Sequence, residues 1–147
     1  MKKCSDVMTK NPSFAVTQDT AKAVAQLMKS EDIGPVPVVD DPSSWKLVGI
    51  LTDRDLALKV VAEGRDPKTT RVEAVMTHNP ITCREGDDLD KALHAMAEHQ
   101  VRHIPVVNHN HQIVGIISQA DVATRQDNAQ KTAEVVEEIS KPGLGSQ

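Results

Sequence analysis

Val48-Gly49-Ile50-Leu51-Thr52-Asp53-Arg54-Asp55-Leu56 is the stretch whose reading decides the fold. An apolar run ends at the hydroxyl of Thr52, a carboxylate follows three residues later at Asp55, and Leu56, Ala57 and Leu58 continue the chain. The pattern predicts a strand that turns directly into a helix, with Thr52 at the junction. The same layout recurs at Val114-Gly115-Ile116-Ile117-Ser118-Gln119-Ala120-Asp121-Val122. The chain is organised to present one strand-to-helix element twice.

Outward from this element the repetition extends through most of the sequence. Val7-Met8-Thr9-Lys10-Asn11-Pro12 returns as Val75-Met76-Thr77-His78-Asn79-Pro80. The offset holds through Met28/Met96, Ile33/Val101 and Pro37-Val38-Val39/Pro105-Val106-Val107. It then shortens by two residues, because the first copy is longer within Asp41-Pro42-Ser43-Ser44-Trp45-Lys46. A length change confined to a polar turn is what a hairpin loop tolerates.

Each copy carries the same local signals. Asn11-Pro12 and Asn79-Pro80 break the chain before a short extended piece, Phe14–Val16 or Ile81–Cys83. A helix is predicted from Thr20 to Glu31, with Ala21, Val24, Leu27 and Met28 on one stripe. Its counterpart runs from Asp88 to His99, with Leu89, Ala92, Leu93 and Met96, and Asp19 and Asp87 are the expected caps. Two strands follow in each copy, Val36–Val39 with Leu47–Leu51 and Ile104–Val107 with Ile113–Ile117. Pro37 and Pro105 favour an edge or the start of a strand. A second helix begins at Thr52 or Ser118. Each copy is thus β-α-β-β-α over about 55 residues, marginal alone, and two copies sharing a buried surface solve that problem. The expected organisation is repeat 1 with its N-terminal segment and linker over 1–67, repeat 2 over 68–126, and a helical extension and tail over 127–147, with Ala133, Val136 and Ile139 on a loose stripe.

Composition narrows the function classes. Hydrophobic residues make up 39% and charged residues 26%, an ordinary globular balance. Phe14 and Trp45 are the only aromatic residues, so the stacking platforms of a single-stranded nucleic-acid binder are missing. A net charge of −4 offers no general attraction to polyanions. No run approaches the roughly 18 apolar residues of a membrane span. Met1-Lys2-Lys3-Cys4-Ser5-Asp6 has a charged start without the apolar segment of a signal peptide. Cys4 and Cys83 are too few and too far apart in sequence for a disulfide framework, which fits a reducing compartment and a cytoplasmic location.

The repeated element has two readings. Thr52-x-x-Asp55 and Ser118-x-x-Asp121 fit a capping box with Asp in place of Glu or Gln. The same geometry suits a ligand, since a helix start offers free N–H groups to phosphate and a carboxylate there accepts from both ribose hydroxyls. Other signals are weaker. His109 and His111 sit in the hairpin turn without a further ligand at metal spacing. Cys83 reads as a small hydrophobe on a strand, and Cys4 as a terminal thiol. No Gly-rich phosphate loop, nucleophile elbow or paired-carboxylate site is present, so no enzyme is expected.

The "VMTxNP" segment, the "IPVV"-type strand and "GI-[LI]-[TS]-x-x-D", present in both copies, resemble a tandem pair of cystathionine-β-synthase (CBS) domains, a Bateman module, over roughly residues 5–125. "LTDRDLALKVVAEGRDP" further resembles stand-alone bacterial CBS pairs. The resemblance implies an α/β fold of two β-α-β-β-α repeats about a pseudo-two-fold axis; the extra helical C-terminal segment lies outside it and is read from the residues alone. It also implies a non-catalytic regulatory module that binds adenine nucleotides in clefts between the repeats and dimerises. By that resemblance one cleft pairs Thr52, Arg54 and Asp55 with Ile81, Val101 and Arg102, and the other pairs Ser118 and Asp121 with Ser13, Ile33, Gly34 and Pro35. Arg54 would meet phosphate, while Ala120 in its place leaves His103 to compensate. Arg102 and His103 also read as solvated strand-end residues. AMP is the expected ligand, with ADP, ATP, NAD or S-adenosylmethionine as alternatives, and no cofactor, metal, nucleic acid or membrane is implied. A nucleotide touching both repeats would change their relative angle and pass a signal to an effector protein. The rival reading is a structural or dimerisation module in which Thr52 and Ser118 act only as caps.

Overall fold

The computed structural model describes residues 2–125, and among them six non-glycine residues adopt left-handed backbone. They fall into three repeat-related pairs: Asn11 and Asn79 (φ 50° and 48°), Asp32 and Gln100 (55° and 56°), and Trp45 and His111 (60° and 61°). The first pair ends the leading segment of each repeat, the second closes the first long helix, and the third shapes the hairpin turn. Left-handed backbone is rare outside glycine, so its recurrence marks the turns as shared design.

The elements follow in order. The first repeat contains α1 (Cys4–Val7), β1 (Thr9–Lys10), β2 (Ala15–Val16), α2 (Ala21–Glu31), β3 (Pro35–Val39), β4 (Leu47–Thr52) and α3 (Asp53–Asp55). Helix α3 widens at once into a π-helical segment, Leu56–Val61, with Ala62 N–H on the Ala57 carbonyl at 2.9 Å. The second repeat contains a 3-10 turn (Val72–Ala74), β5 (Thr77–His78), β6 (Cys83–Arg84), α4 (Leu89–His99), β7 (His103–Val107), β8 (Ile113–Ser118) and α5 (Gln119–Arg125). The expected β-α-β-β-α order holds in both copies, while α1, the 3-10 turn, β1 and β5 go beyond it. The expected helical extension and tail over 127–147 lie outside the described residues.

The chain forms two compact units, and each is discontinuous in sequence. The first-repeat unit comprises 12–80 with 111–113, and its sheet has the order β2-β3-β4-β5. The second-repeat unit comprises the described residues of 1–11, 81–110 and 114–147, with sheet order β1-β8-β7-β6. The leading segment of each repeat therefore adds a strand to the other repeat's sheet. Thr9 and Lys10 pair with Ile116 and Gly115, while Thr77 and His78 pair with Ile50 and Gly49. The supporting bonds are equivalent too: Cys4 N–H donates to Asp87 O (2.9 Å) as Val72 N–H donates to Asp19 O (2.8 Å). Asn11 N–H reaches Val114 O (3.2 Å) as Asn79 N–H reaches Val48 O (3.1 Å).

Helices α2 and α4 bury the predicted stripes. Ala21, Val24 and Met28 pack with Val36, Val38 and Leu51, with Leu27 partly buried beside them. Leu89, Ala92, Leu93 and Met96 pack with Ile104, Val106 and Ile117. The capping differs from expectation. Thr20, not Asp19, caps α2 by accepting from Ala23 N–H (3.2 Å). Asp19 and Asp87 close the preceding turns by accepting from Val16 N–H (2.9 Å) and Arg84 N–H (2.8 Å). Thr70 and Pro67 carbonyls then accept from the N–H groups of Ala21 (2.8 Å) and Lys22 (3.0 Å), so the linker satisfies donors that a side chain alone could not.

Pro37 sits within β3 and not at its start. The Gly34 carbonyl accepts from Asp53 N–H (3.1 Å), which makes Val36↔Leu51 a hydrogen-bonded pair and Pro37↔Ile50 a non-bonded one. The prolyl nitrogen thus faces the β2 side, where pairing begins only at Ala15↔Val38. No ladder bond is lost.

Gly49 and Gly115 accept the exchanged segments. A Cβ on Gly49 would lie 2.5 Å from the Met76 sulfur and 2.9 Å from the Thr77 carbonyl. A Cβ on Gly115 would overlap Met8, with Met8 Cγ at 2.8 Å. Gly115→Ala is expected to destabilise the chain by about 1–3 kcal/mol through this overlap, seen as a lower urea midpoint. An unchanged midpoint would show that Met8 is not seated there.

Candidate functional site

The two capping boxes are built identically and sit in different surroundings. Strand β4 ends at Thr52, whose hydroxyl accepts from Asp55 N–H (3.1 Å), while Asp55 Oδ2 accepts from Thr52 N–H (2.9 Å) and from its hydroxyl (3.1 Å). In the second copy Ser118 Oγ accepts from Asp121 N–H (3.1 Å), and Asp121 Oδ2 accepts from Ser118 N–H (3.0 Å) and Oγ (3.1 Å). A residue in extended backbone followed by a helical turn makes this reciprocal pair available at each strand end.

The carboxylates then diverge. Thr52 is 1% and Asp55 7% exposed, and Asp55 Oδ1 is paired with Lys59 Nζ at 3.2 Å. Lys59 Nζ also donates to the Val75 carbonyl at 3.2 Å, which fastens it over the box. Both oxygens of Asp55 are therefore engaged inside the first-repeat unit. Asp121 is half-buried, and its Oδ1 and Oδ2 lie 3.3 and 3.4 Å from the Thr9 hydroxyl. Thr9 belongs to the exchanged leader and lines an open depression of about 480 Å³ with Ser5, Asp6, Met8 and Lys10.

The first-repeat unit holds Ser13, Ile33, Gly34, Pro35, Thr52, Arg54 and Asp55. Pro35 pairs with Thr52, and the Gly34 carbonyl holds Asp53, so these residues meet at one strand end. Ser13 is bound to Glu31 Oε1 (2.5 Å), Ile33 is half-buried against the core, and Arg54 is exposed. The second-repeat unit holds Ile81, Val101, Arg102, His103, Ser118 and Asp121. Its Arg102 carbonyl accepts from Gln119 N–H (3.0 Å), repeating the Gly34–Asp53 bond. Arg102 and Ile81 are exposed, His103 is half-buried, and Val101 packs in the apolar core. Val101 has only backbone to offer a ligand.

Two contacts extend the expected set. Lys59 lies one helical turn beyond Asp55, a spacing that signals the pair in sequence. Thr9 is in the repeated "VMT" segment, but its approach to Asp121 depends on the exchange of leaders, which local patterns do not encode. Among the described residues no group of three or more His, Cys, Asp and Glu side chains converges as metal ligands, and no helix is long and apolar enough to cross a membrane.

The sequence profile of the CBS domain matches residues 4–62 and 72–127. The CBS domain-containing protein YhcV of Bacillus subtilis is 34% identical over 98% of this chain and 99% of its own length. Hypoxic response protein 1 of Mycobacterium tuberculosis is 35% identical over 80% of each chain. A crystal structure of Hypoxic Response Protein I, with two coordinated zinc ions, aligns with a TM-score of 0.75 at 34% identity, covering 84% of this chain and 98% of that one. The CBS domain pair of protein MJ0100, in complex with 5′-methylthioadenosine and S-adenosyl-L-methionine, aligns with a TM-score of 0.76 at 28% identity over 84% and 94%. Two CBS repeats account for the mixed α/β architecture with its two four-stranded sheets.

The unequal burial of the boxes has a measurable consequence. Asp55→Ala is expected to cost about 1–3 kcal/mol by stranding buried donors, and Asp121→Ala clearly less. Urea unfolding of the two variants checks this, and equal losses would contradict the difference.

Proposed function

Because the chain belongs to the CBS-domain family, we propose that it is a non-catalytic regulatory module that binds an adenine nucleotide, with AMP as its ligand. The observation that carries this reading is the Ser118–Asp121 box, a helix-start carboxylate that is half-buried and met by the Thr9 hydroxyl. Such a carboxylate accepts from two vicinal ribose hydroxyls, and the helix-start N–H groups favour an anion nearby. The depression along Thr9 and Lys10 has the volume of a small-ligand site. The adenosine-based ligands of the MJ0100 pair, a relative at 28% identity, support the same chemical class.

Arg54, Arg102 and His103 are the side chains assigned to phosphate, and Ile33, Gly34, Pro35 and Ile81 the residues assigned to the base. Asp55 is assigned to the ribose more weakly than Asp121, since Asp55 is buried and Asp121 only half-buried. For the first box a purely structural role is favoured by that burial. Exposed Leu58 and Val61, the latter 76% exposed, fit a homodimer contact through the π-helical segment. The dimer would act in the cytoplasm and pass its ligand state to an effector protein.

A thermal-shift panel of AMP, ADP, ATP, NAD and S-adenosylmethionine tests the reading. Binding stabilises by about 2.7 kcal/mol at a hundredfold excess over Kd, so AMP should raise Tm by several degrees. Asp121→Ala should abolish most of that rise and Asp55→Ala less of it. A flat response to all five ligands would overturn nucleotide binding and leave the structural module.

A further inference from the structure

The leader over 2–10 is fastened to the second-repeat unit along its length. Lys2 O accepts from Leu89 N–H (2.9 Å), and Lys3 Nζ pairs with Asp88 Oδ1 (2.6 Å). The N–H groups of Cys4 and Ser5 donate to Asp87 O (2.9 Å) and Glu85 O (3.0 Å). Val7 is buried in the apolar cluster, and Met8 lies across Gly115. Thr9 and Lys10 then pair with β8. The side chain of Thr9 is exposed and takes no part in the core.

The Thr9 hydroxyl instead reaches both oxygens of Asp121, at 3.3 and 3.4 Å, across 112 positions of sequence. These are the oxygens assigned to the ribose. Ser118 N–H and Oγ hold Oδ2 from the end of β8, at 3.0 and 3.1 Å, while Thr9 approaches from β1. In the first-repeat unit Asp55 is met by Lys59, four residues away on its own helical segment. One donor shared between two oxygens sets the plane of a carboxylate, and that plane decides where ribose hydroxyls can approach.

We propose that Thr9 is a positioning residue of the nucleotide site, and that nucleotide occupancy and docking of the leader are linked through it. This linkage rests on the nucleotide reading of Asp121 and adds its regulation. When the leader opens, Asp121 loses the Thr9 hydroxyl and its hold on the ribose weakens. By reciprocity, a bound nucleotide disfavours the open leader by the same factor. Terminal segments open locally more readily than cores do, so this equilibrium responds to ligand while the rest of the unit stays folded. The packing of Val7 and Met8 docks the leader, and the Thr9 hydroxyl connects that docking to the site.

The test is calorimetric titration of the full chain with AMP, beside hydrogen exchange of the leader with and without AMP. Thr9→Val keeps the branched shape and loses the hydroxyl, whereas Thr9→Ser keeps the hydroxyl. Thr9→Val is expected to weaken AMP binding about threefold or more, and Thr9→Ser to stay within about twofold of the unaltered chain. The amides of Cys4, Ser5 and Asn11 bond to the rest of the second-repeat unit and report the opening. Saturating AMP should slow their exchange by about threefold or more, and by less in Thr9→Val. Asp121→Ala separates the two readings. If the unaltered chain binds no AMP, or Asp121→Ala binds it equally well, the nucleotide reading of Asp121 falls and the linkage with it. If Asp121→Ala weakens binding but Thr9→Val does not, the nucleotide reading stands and the linkage is overturned. The linkage alone is also overturned if Thr9→Ser fails to restore affinity, or if AMP leaves leader exchange unchanged or quickens it.

Discussion

The structure depends on a methionine lying across a glycine, made twice. Met8 covers Gly115 and Met76 covers Gly49, and in each case the methionine comes from the leader of the opposite repeat. A repeat of about 55 residues buries too small a core to be stable alone. Here each sheet gains its fourth strand from the other copy, and each core gains a buried side chain at the start of that leader, Cys4 or Val72. The fixed spacing between "VMT" and the left-handed asparagine follows from this arrangement. Asn11 and Asn79 must end the added strand where its carbonyl partners, Val114 and Val48, stand waiting.

Much of this was legible in the sequence because it is local. The stripes on α2 and α4 follow a helical period, the four long strands are β-branched runs between turn signals, and the two extra residues fall in a hairpin loop. The exchange of leaders was not legible, because Thr9-Lys10 and Thr77-His78 are too short to announce strands, and their partners lie far along the chain. The capping residues were misplaced by one position for a related reason. Asp19 carries a stronger capping side chain than Thr20, and Asp87 the same one as Asp88, yet Asp19 and Asp87 are each drawn back into the preceding turn by a backbone N–H. Pro37 looked like an edge residue and lies inside β3, at a register where its missing donor costs nothing.

The candidate site shows the same division. Sequence makes the two boxes equivalent and gives the first an arginine, Arg54, where the second has Ala120. Burial sets the two carboxylates apart. Asp55 is held by Lys59 and Thr52 beneath the surface, whereas Asp121 stays half-buried with Thr9 at its edge. A shared motif thus serves as a cap in both copies and offers a reachable carboxylate in one. The exposed guanidinium of Arg54 and the half-buried carboxylate of Asp121 fall on different repeats.

The central functional claim is that a helix-start carboxylate takes up the ribose hydroxyls of an adenine nucleotide. Calorimetric titration of the intact chain with AMP and with its 2′,3′-dideoxy analogue tests it most directly, because the two ligands differ only in the atoms the carboxylate would bind. Loss of two hydrogen bonds to a charged group predicts at least a roughly tenfold weaker affinity for the analogue. Equal affinities for the two ligands would contradict the account.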